Sequence, residues 1–176
     1  NITGGLYKMQ KRKLILKKES FGGVFVDTQT GRRNFLRSEE YEIKKQELLN
    51  FKTPSVEVKI VDVTERGYSL LPNATSSPNR IFWELTKRCN GSCTDCFMDS
   101  NAKKWYKDEV SFAEIKNIAG QFSDLGGYSV RLTGGEPTLH KNFKEIVNYI
   151  AQKNSSIRMN LLTNGCVDYS KKKFED

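Results

Sequence analysis

Three cysteines lie within eight residues of one another, in the stretch CNGSCTDC at positions 89–96. Cys93 and Cys96 have C-x-x-C spacing, and Cys89 precedes them by four residues. A structural zinc site needs four ligands, and Cys166 and His140 are the only other cysteine and histidine. A four-iron cluster takes one thiolate per iron, so three cysteines would leave one iron open to an outside ligand. The spacing therefore indicates a metal site, either an open iron–sulfur cluster or a zinc site.

Two more polar motifs each follow a predicted strand, as the cysteines do. The strand and motif pairs are RIFWELT (80–86) before the cysteines, YSVRLT (128–133) before GGEP (134–137), and IRMNLLT (157–163) running into TNG (163–165). Helical periodicity separates the strands, with apolar positions at Phe112, Ile115, Ile118, Phe122 and Leu125, then at Phe143, Ile146, Val147 and Ile150. Ser111 and Glu114 match a capping box at the start of the first helix, and Gly126 and Gly127 end it.

Strands that alternate with helices predict an α/β fold with a parallel sheet. In such sheets, ligands bind at the carboxyl ends of the strands. Because all three polar motifs follow strands, we expect them to share one rim of the sheet.

With the motifs in this order, residues 80 to about 170 resemble the radical S-adenosylmethionine (SAM) superfamily. In that family three cysteines hold a 4Fe–4S cluster, and SAM chelates the fourth iron through its amino and carboxylate groups. The reduced cluster cleaves SAM to a 5′-deoxyadenosyl radical, which abstracts hydrogen from a substrate. The resemblance implies a 4Fe–4S cluster and SAM as cofactors, and an electron donor such as flavodoxin or ferredoxin.

The resemblance also implies which residues form the site. The implied metal ligands are Cys89, Cys93 and Cys96, and the implied cofactor-binding residues are Gly134, Gly135, Glu136, Pro137, Thr163, Asn164 and Phe97. Glycines let a backbone approach a ligand closely, and a carboxylate at Glu136 could accept from the ammonium of SAM. Asp95 stands where the family often has an aromatic residue beside the adenine, so Phe97 is the nearest aromatic candidate. No catalytic side chain is predicted.

The other distinctive residues of this region have plainer interpretations. Cys166 is interpreted as a buried or unpaired thiol, and His140 as a solvated or capping residue. Trp83 and Trp105 are interpreted as packing residues. Glu84 either faces the barrel interior or has a structural role.

The first part of the chain has a different texture, with three short β runs followed by a helix. The predicted strands are KLILK (13–17), GGVFVD (22–27) and RRNFL (32–36), and Gly31 supplies a hairpin turn between the last two. Ser38 is predicted to be the N-cap of a helix with Tyr41, Ile43, Leu48 and Leu49 on or beside its apolar face. A strand is predicted in VEVKIVDV (56–63). The polar stretch 71–79 predicts a linker, with the domain boundary near residue 77.

This front segment resembles the peptide-recognition element of radical SAM maturases of ribosomal peptides. The resemblance implies a small β-rich, winged-helix-like domain at 1–77 that binds the leader of a precursor peptide as an added strand. It is followed by the first three strand–helix units, residues 78–176, of a partial (βα)6 TIM-like barrel. Because the family core has six such units, we expect the chain to be a fragment of a longer enzyme. A generic β-rich domain that only shields the barrel remains the alternative.

Composition and charge limit the classes of partner that we expect the protein to bind. No apolar run is long enough to span a bilayer, and the basic, glycine-containing start lacks the apolar region of a signal peptide, which predicts a cytoplasmic protein without a membrane partner. The formal charge of +8 is concentrated in residues 7–18 and at Arg32 and Arg33. A basic surface favours an acidic leader peptide or RNA, and it is also typical of a solvated face with no partner.

The leading hypothesis is an oxidoreductase-type radical SAM enzyme that modifies a ribosomally made peptide. The alternatives are a radical SAM enzyme that modifies RNA and a non-catalytic zinc-binding interaction module.

Overall fold

The structure is a computed structural model that describes residues 12–72, 74–100, 109–153 and 157–166. Trp105 lies outside the described residues. No helix in these ranges is long and apolar enough to cross a bilayer.

The front of the chain folds into a four-stranded sheet with one helix against it. The elements are β1 (Arg12–Glu19), β2 (Gly22–Asp27), β3 (Arg33–Arg37), α1 (Ser38–Asn50) and β4 (Val56–Val61). The strand order is β3-β2-β1-β4, antiparallel except for β4, which runs parallel to β1. The predicted strands, hairpin and helix are confirmed.

The hairpin turn between β2 and β3 follows from two residues. One oxygen of the Asp27 carboxylate accepts from the backbone N–H groups of Gln29 and Thr30, at 3.0 and 3.4 Å. Gly31 has a φ of +73°, a conformation that suits glycine. The turn therefore reverses the chain and places β3 beside β2, at the end of the strand order.

Helix α1 differs from its prediction at its start and on its apolar face. Ser38 is the first helical residue, and Arg37 is the N-cap, whose backbone N–H donates to the Glu40 carboxylate at 2.7 Å. Tyr41 and Leu48 are buried as predicted, whereas Leu49 and Ile43 are exposed. Successive helical residues lie about 100° apart, so Leu48 and Leu49 cannot both face the sheet.

The second sheet contains the three predicted parallel strands in the order β5-β6-β7. Its elements are β5 (Arg80–Thr86), α2 (Phe112–Asp124), β6 (Ser129–Gly134), α3 (Phe143–Lys153) and β7 (Arg158–Leu161). Ser111 and Glu114 form the predicted capping box of α2, and Gly126 adopts a φ of +78° just beyond its end. The parallel α/β arrangement is confirmed.

Helices α2 and α3 pack on one face of this sheet and form the largest core. Its fully buried members include Ile115, Ile146, Ile150, Val130 and Leu132. Trp83 belongs to the same core, as predicted. Ile118, predicted on the apolar face of α2, is 42% exposed at the margin of that face. The core fixes the three strands side by side, and their carboxyl ends therefore lie together.

The front sheet attaches to the carboxyl end of α2. The ammonium group of Lys59 donates to the carbonyl of Ser123 at 2.7 Å, and the hydroxyl of Ser77 donates to the carbonyl of Leu125 at 2.8 Å. The last carbonyls of a helix lack partners within the helix and attract cations. These contacts satisfy them from the front sheet and from the predicted linker, so stretch 71–79 is packed at the junction between the two sheets.

A buried ion pair completes this junction. Lys17 and Glu19 are 1% and 2% exposed, and their charged atoms lie 2.8 Å apart. The ammonium of Lys17 also donates to the carbonyl of Ser77 at 3.1 Å, and the backbone N–H of Ser76 donates to Glu19 at 2.7 Å. Both charges of the pair therefore depend on the same few residues of the junction.

Replacing Lys17 should separate these partners and destabilise the protein. In Lys17→Ala the carboxylate of Glu19 stays buried without its cation, and such a loss costs about 3–5 kcal/mol. We expect the free energy of unfolding, measured by chemical denaturation, to fall by that amount. The matched control is Lys52→Ala in an exposed loop, where a change within about 0.5 kcal/mol is expected. Equal effects of the two substitutions would contradict the account of the junction.

Candidate functional site

The three polar motifs lie together at the carboxyl ends of β5, β6 and β7, as predicted. The backbone N–H of Gly135 donates to the carbonyl of Thr86, and that of Glu136 to the carbonyl of Arg88, each at 2.8 Å. The side chain of Asn164 donates to that of Asn90 at 2.9 Å. We call residues 134–137 the glycine loop and the segment that follows β5 and carries the three cysteines the cysteine loop. The glycine loop and the loop after β7 therefore both contact the cysteine loop directly.

The two glycines are required by the close packing of these loops. Gly134 has a φ of +144°, and a Cβ on it would lie 2.2 Å from the carbonyl oxygen of Thr86. A Cβ on Gly135 would lie 2.3 Å from the carbonyl oxygen of Arg88. Any side chain at either position would push the glycine loop away from the cysteine loop. Their predicted role in approaching a ligand stays a prediction, as does a ligand-binding role for Pro137, which is buried.

Glu136 has a fully buried side chain that connects two loops. One carboxylate oxygen accepts from the hydroxyls of Thr138 and Thr163 at 2.6 and 2.9 Å and from the backbone N–H of Thr138 at 3.2 Å. The other oxygen accepts from the backbone N–H of Asn164 at 2.8 Å. A carboxylate has about four acceptor positions, and these four contacts come from within the protein. Its predicted role as an acceptor for the ammonium of SAM stays a prediction.

The charge of Glu136 is stabilised despite burial. Burial by itself would raise the pKa of this carboxyl, but the hydrogen bonds from Thr138, Asn164 and Thr163 together outweigh it. The pKa therefore lies below its ordinary value, and Glu136 is an anion at neutral pH.

An ion pair that sequence reasoning missed supports the base of the cysteine loop. The guanidinium of Arg88 donates to Glu109 at 2.9 Å and to the carbonyl of Leu139 at 2.7 Å, and the hydroxyl of Thr86 also donates to Glu109. Burial would raise the pKa of Glu109, but the bonds from Thr86 and Arg88 lower it below its ordinary value. Twenty-one residues separate Arg88 from Glu109, so no local spacing pattern indicated the pair.

His140 is buried, so its interpretation as a solvated residue is wrong; it is the C-cap of the short 3-10 turn Pro137–Leu139, and a cap on α3 stays a prediction. One ring nitrogen lies 3.2 Å from the carbonyl of Val110, and the other accepts from the backbone N–H of Asn142 at 3.1 Å. Burial lowers the pKa of the ring. The imidazole therefore fixes the chain before α3 and is not a ligand in this arrangement.

The cysteines are all free, with Cys93 exposed and Cys89 and Cys96 half-buried. The backbone N–H of Gly91 donates to the sulfur of Cys89, and that of Ser100 donates to the sulfur of Cys96, each at 3.3 Å. Two of the three cysteine sulfurs are thus held in place by backbone N–H groups of the same loop.

The space beside Gly91 tests whether these residues fit an iron–sulfur cluster. A Cβ on Gly91 would lie 3.6 Å from the sulfur of Cys89, 3.9 Å from that of Cys93 and 3.7 Å from the side-chain nitrogen of Asn164. Two cysteine sulfurs close to one glycine, and backbone N–H donors to the sulfurs of Cys89 and Cys96, suit such a cluster. Among the residues that the structure describes, no three His, Cys, Asp or Glu side chains are gathered closely enough to hold a metal. The three-cysteine ligand set therefore stays a prediction.

Most of the remaining predicted residues are exposed at the surface. Phe97 is 98% exposed, and Thr163 and Asn164 are exposed at the rim, so their contacts with a cofactor stay predictions. Cys166 has a free, exposed thiol, which confirms it as unpaired and not buried. Glu84 is half-buried, and one of its carboxylate oxygens is buried without a hydrogen-bond partner among the described residues.

Comparison with known proteins agrees with this geometry. The radical SAM superfamily model matches residues 83–176. GTP 3′,8-cyclase of Actinobacillus pleuropneumoniae serotype 3 is 40% identical over 82 residues, which are 46% of this chain and 24% of that protein. GTP 3′,8-cyclase of Haemophilus ducreyi is also 40% identical over 82 residues, with the same coverage. The matched stretch thus spans about a quarter of the length of these curated relatives.

Among solved structures, the chain is similar to Streptococcus suis SuiB. The structure of SuiB bound to the precursor peptide SuiA superposes with a TM-score of 0.60 at 20% identity, over 90% of this chain and 42% of SuiB. SuiB bound to S-adenosylmethionine gives a TM-score of 0.62 at 18% identity, over 88% of this chain and 41% of SuiB. At these identities the likeness concerns the fold, and at 90% coverage it extends into the front sheet.

The superfamily match covers more than half of the chain and includes every cysteine of the loop, the glycine loop and the loop after β7. The chain belongs to the radical SAM superfamily, whose cofactors are a 4Fe–4S cluster and S-adenosylmethionine.

Proposed function

We propose that the protein cleaves SAM reductively at a 4Fe–4S cluster and modifies a ribosomally synthesised peptide by hydrogen abstraction. The observation that carries the cleavage is the contact of three polar loops at one rim, with the sulfurs of Cys89 and Cys93 both close to Gly91. When bound and reduced, the cluster supplies the electron that generates a 5′-deoxyadenosyl radical from SAM. An electron donor such as flavodoxin or ferredoxin would reduce it.

The chain's own residues bind and orient these groups. Cys89, Cys93 and Cys96 would hold the cluster and leave one iron for SAM. The backbone of Gly134 and Gly135 would face the methionine end of SAM, held against the cysteine loop by the hydrogen bond to Thr86. The protein thus contributes position and exclusion of solvent, while the radical chemistry belongs to the cofactors.

The peptide substrate is supported by strand β3, which among the described residues pairs only with β2 and so leaves one side open. Asp27 donates its backbone N–H to the carbonyl of Arg32 at 3.0 Å, which sets the alternation of hydrogen-bonded pairs along β2 and β3. In that alternation the backbone groups of Arg33, Phe35 and Arg37 point away from β2. The N–H of Arg37 is taken by Glu40. Arg33 and Phe35 therefore offer backbone donors and acceptors to an added strand.

The side chains along this edge favour an acidic peptide. Arg33, Phe35 and Arg37 alternate along β3 and so lie on one face of the sheet, and all three are exposed. Phe35 also contacts Phe21 at 6.2 Å between ring centroids. Across an added strand, opposite charges and apolar neighbours stabilise pairing. A leader segment with acidic, apolar and acidic residues at alternate positions would match this face.

The sequence relatives favour a second candidate, cyclisation of GTP. Their 40% identity over 82 residues exceeds the 20% identity with SuiB. The two candidates make different use of the front sheet. The match to the GTP 3′,8-cyclase covers 46% of this chain, whereas the likeness to SuiB covers 90% and extends into the front sheet. Incubation of the reduced protein with SAM and GTP distinguishes them, since a cyclised nucleotide product would establish the second candidate.

Cluster and SAM chemistry should depend on the cysteine loop. In Cys93→Ala we expect loss of the four irons and of 5′-deoxyadenosine formation, measured on anaerobically reconstituted protein with dithionite and SAM. Cys166→Ala is the matched control, because its exposed thiol is free, and it should keep both. Bound zinc without iron in the parent protein would contradict the proposal and support a zinc-binding interaction module.

Peptide binding should depend on the charge of β3. We expect Arg33→Glu/Arg37→Glu to weaken binding of a labelled peptide with the pattern Glu-Thr-Leu-Thr-Glu about tenfold, because each cross-strand charge pair contributes roughly 0.2–1 kcal/mol and reverses sign. Fluorescence anisotropy measures the affinity.

Lys52→Glu/Lys144→Glu changes the net charge equally at exposed sites elsewhere. Equal weakening by both double variants would contradict a specific site on β3. Tight, salt-dependent binding of RNA in place of the peptide would instead support an RNA substrate.

The hydrogen bonds to Glu136 should make the protein sensitive to acid. Because the folded state lowers the pKa of Glu136, its contribution is present above the ordinary glutamate pKa of about 4.3 and is lost as pH falls through the folded pKa. We expect Glu136→Gln to lower the free energy of unfolding at pH 7 by about 1.5–3 kcal/mol, and to lower it less at pH 3. Glu145→Gln, at an exposed position on α3, is the control. A loss that is the same at both pH values would contradict this account.

A further inference from the structure

We infer that Asn164 raises the reduction potential of the cluster by donating a hydrogen bond to the sulfur of Cys89, and that Glu136 holds Asn164 in position. The inference rests on the proposed function, because it requires a cluster at the cysteine loop. It assigns Asn164 a role distinct from its predicted contact with SAM.

The side chain of Asn164 reaches the cysteine loop from the opposite side of the site. Its amide nitrogen lies 3.8 Å from the sulfur of Cys89 and 2.9 Å from the side-chain oxygen of Asn90. Its amide oxygen accepts from the backbone N–H of Cys166 at 2.8 Å. Exchanging the nitrogen and oxygen would break the bonds to Asn90 and Cys166, so the network fixes the nitrogen toward the sulfur.

The backbone of this turn is held by the buried carboxylate. Glu136 accepts from the backbone N–H of Asn164 at 2.8 Å and from the hydroxyl of Thr163 at 2.9 Å. The hydroxyl oxygen of Thr163 in turn accepts from the backbone N–H of Gly165 at 3.1 Å. Three consecutive residues are thus tied, directly or through one hydroxyl, to one anion. Glu136 is a positioning residue because it acts through Asn164.

Hydrogen bonds to cluster sulfurs are one of the means by which a protein sets a cluster's potential. An N–H donor stabilises negative charge on the thiolate, and the reduced cluster carries one more negative charge than the oxidised cluster. The donor therefore favours reduction. Gly91 and Ser100 supply backbone donors to Cys89 and Cys96, which no substitution removes simply. Asn164 supplies a side-chain donor, which substitution can remove.

The test is a redox titration of the reconstituted cluster, without SAM, followed by electron paramagnetic resonance. In Asn164→Ala we expect the ratio of reduced to oxidised cluster at a fixed potential to fall about tenfold, which is about 59 mV for a one-electron couple. Glu136→Asp, which keeps the negative charge and shortens the side chain away from Asn164, should shift the potential in the same direction by a smaller amount. Asn117→Ala, an exposed position on α2, is the matched control and should leave the potential unchanged.

The outcomes separate the inference from the proposed function. An unchanged potential in Asn164→Ala with four irons bound would overturn the role of Asn164, while the proposed function would stand. A shift in Asn164→Ala without one in Glu136→Asp would overturn the role of Glu136. Absence of iron from the parent protein would overturn the proposed function itself.

If Asn164→Ala does not hold four irons, the same titration on Asn164→Leu decides. Leucine is neutral and of similar size, and it lacks the donor to Cys89. A lowered potential would support the inference, and an unchanged potential would overturn it.

Discussion

The arrangement of the site depends on the buried anion of Glu136. Its carboxylate binds the turn after β7 through Thr163 and Asn164, while its own backbone N–H binds the cysteine loop at Arg88. One residue therefore connects the loops that follow all three parallel strands. Because burial disfavours a charge that lacks partners, the carboxylate stabilises the fold when these loops are closed around it. The three loops are thus held together by contacts within the protein.

The basic side chains of this protein, whose formal net charge is +8, have two different roles. The ammonium groups of Lys17 and Lys59 make contacts within the molecule, with the junction and with the carboxyl end of α2. Arg33 and Arg37 remain exposed on the edge strand β3. These two arginines are therefore available to a partner, on a strand that has a neighbour on one side only among the described residues. The junction in turn connects this surface to the sheet that carries the cysteines.

Sequence patterns predicted the strands, the helices and the shared rim because these follow from local periodicity and from the geometry of parallel sheets. The same patterns could not predict contacts between distant residues. The pair of Arg88 with Glu109, the burial of His140 and the internal bonds of Glu136 all arise only after the loops meet. The predicted N-cap of α1, Ser38, is one residue later than the observed N-cap, Arg37, whose N–H donates to Glu40. The three-cysteine ligand set and the bound peptide remain predictions.

The central claim is that three cysteines hold four irons and leave one iron for SAM. Mössbauer spectroscopy of protein reconstituted anaerobically with ⁵⁷Fe, before and after addition of SAM, tests it directly. The account predicts a 4Fe–4S spectrum in which the signal of one iron changes when SAM is added, while the other three stay the same. A complete cluster whose spectrum does not respond to SAM, or a site that takes up no iron, would contradict it.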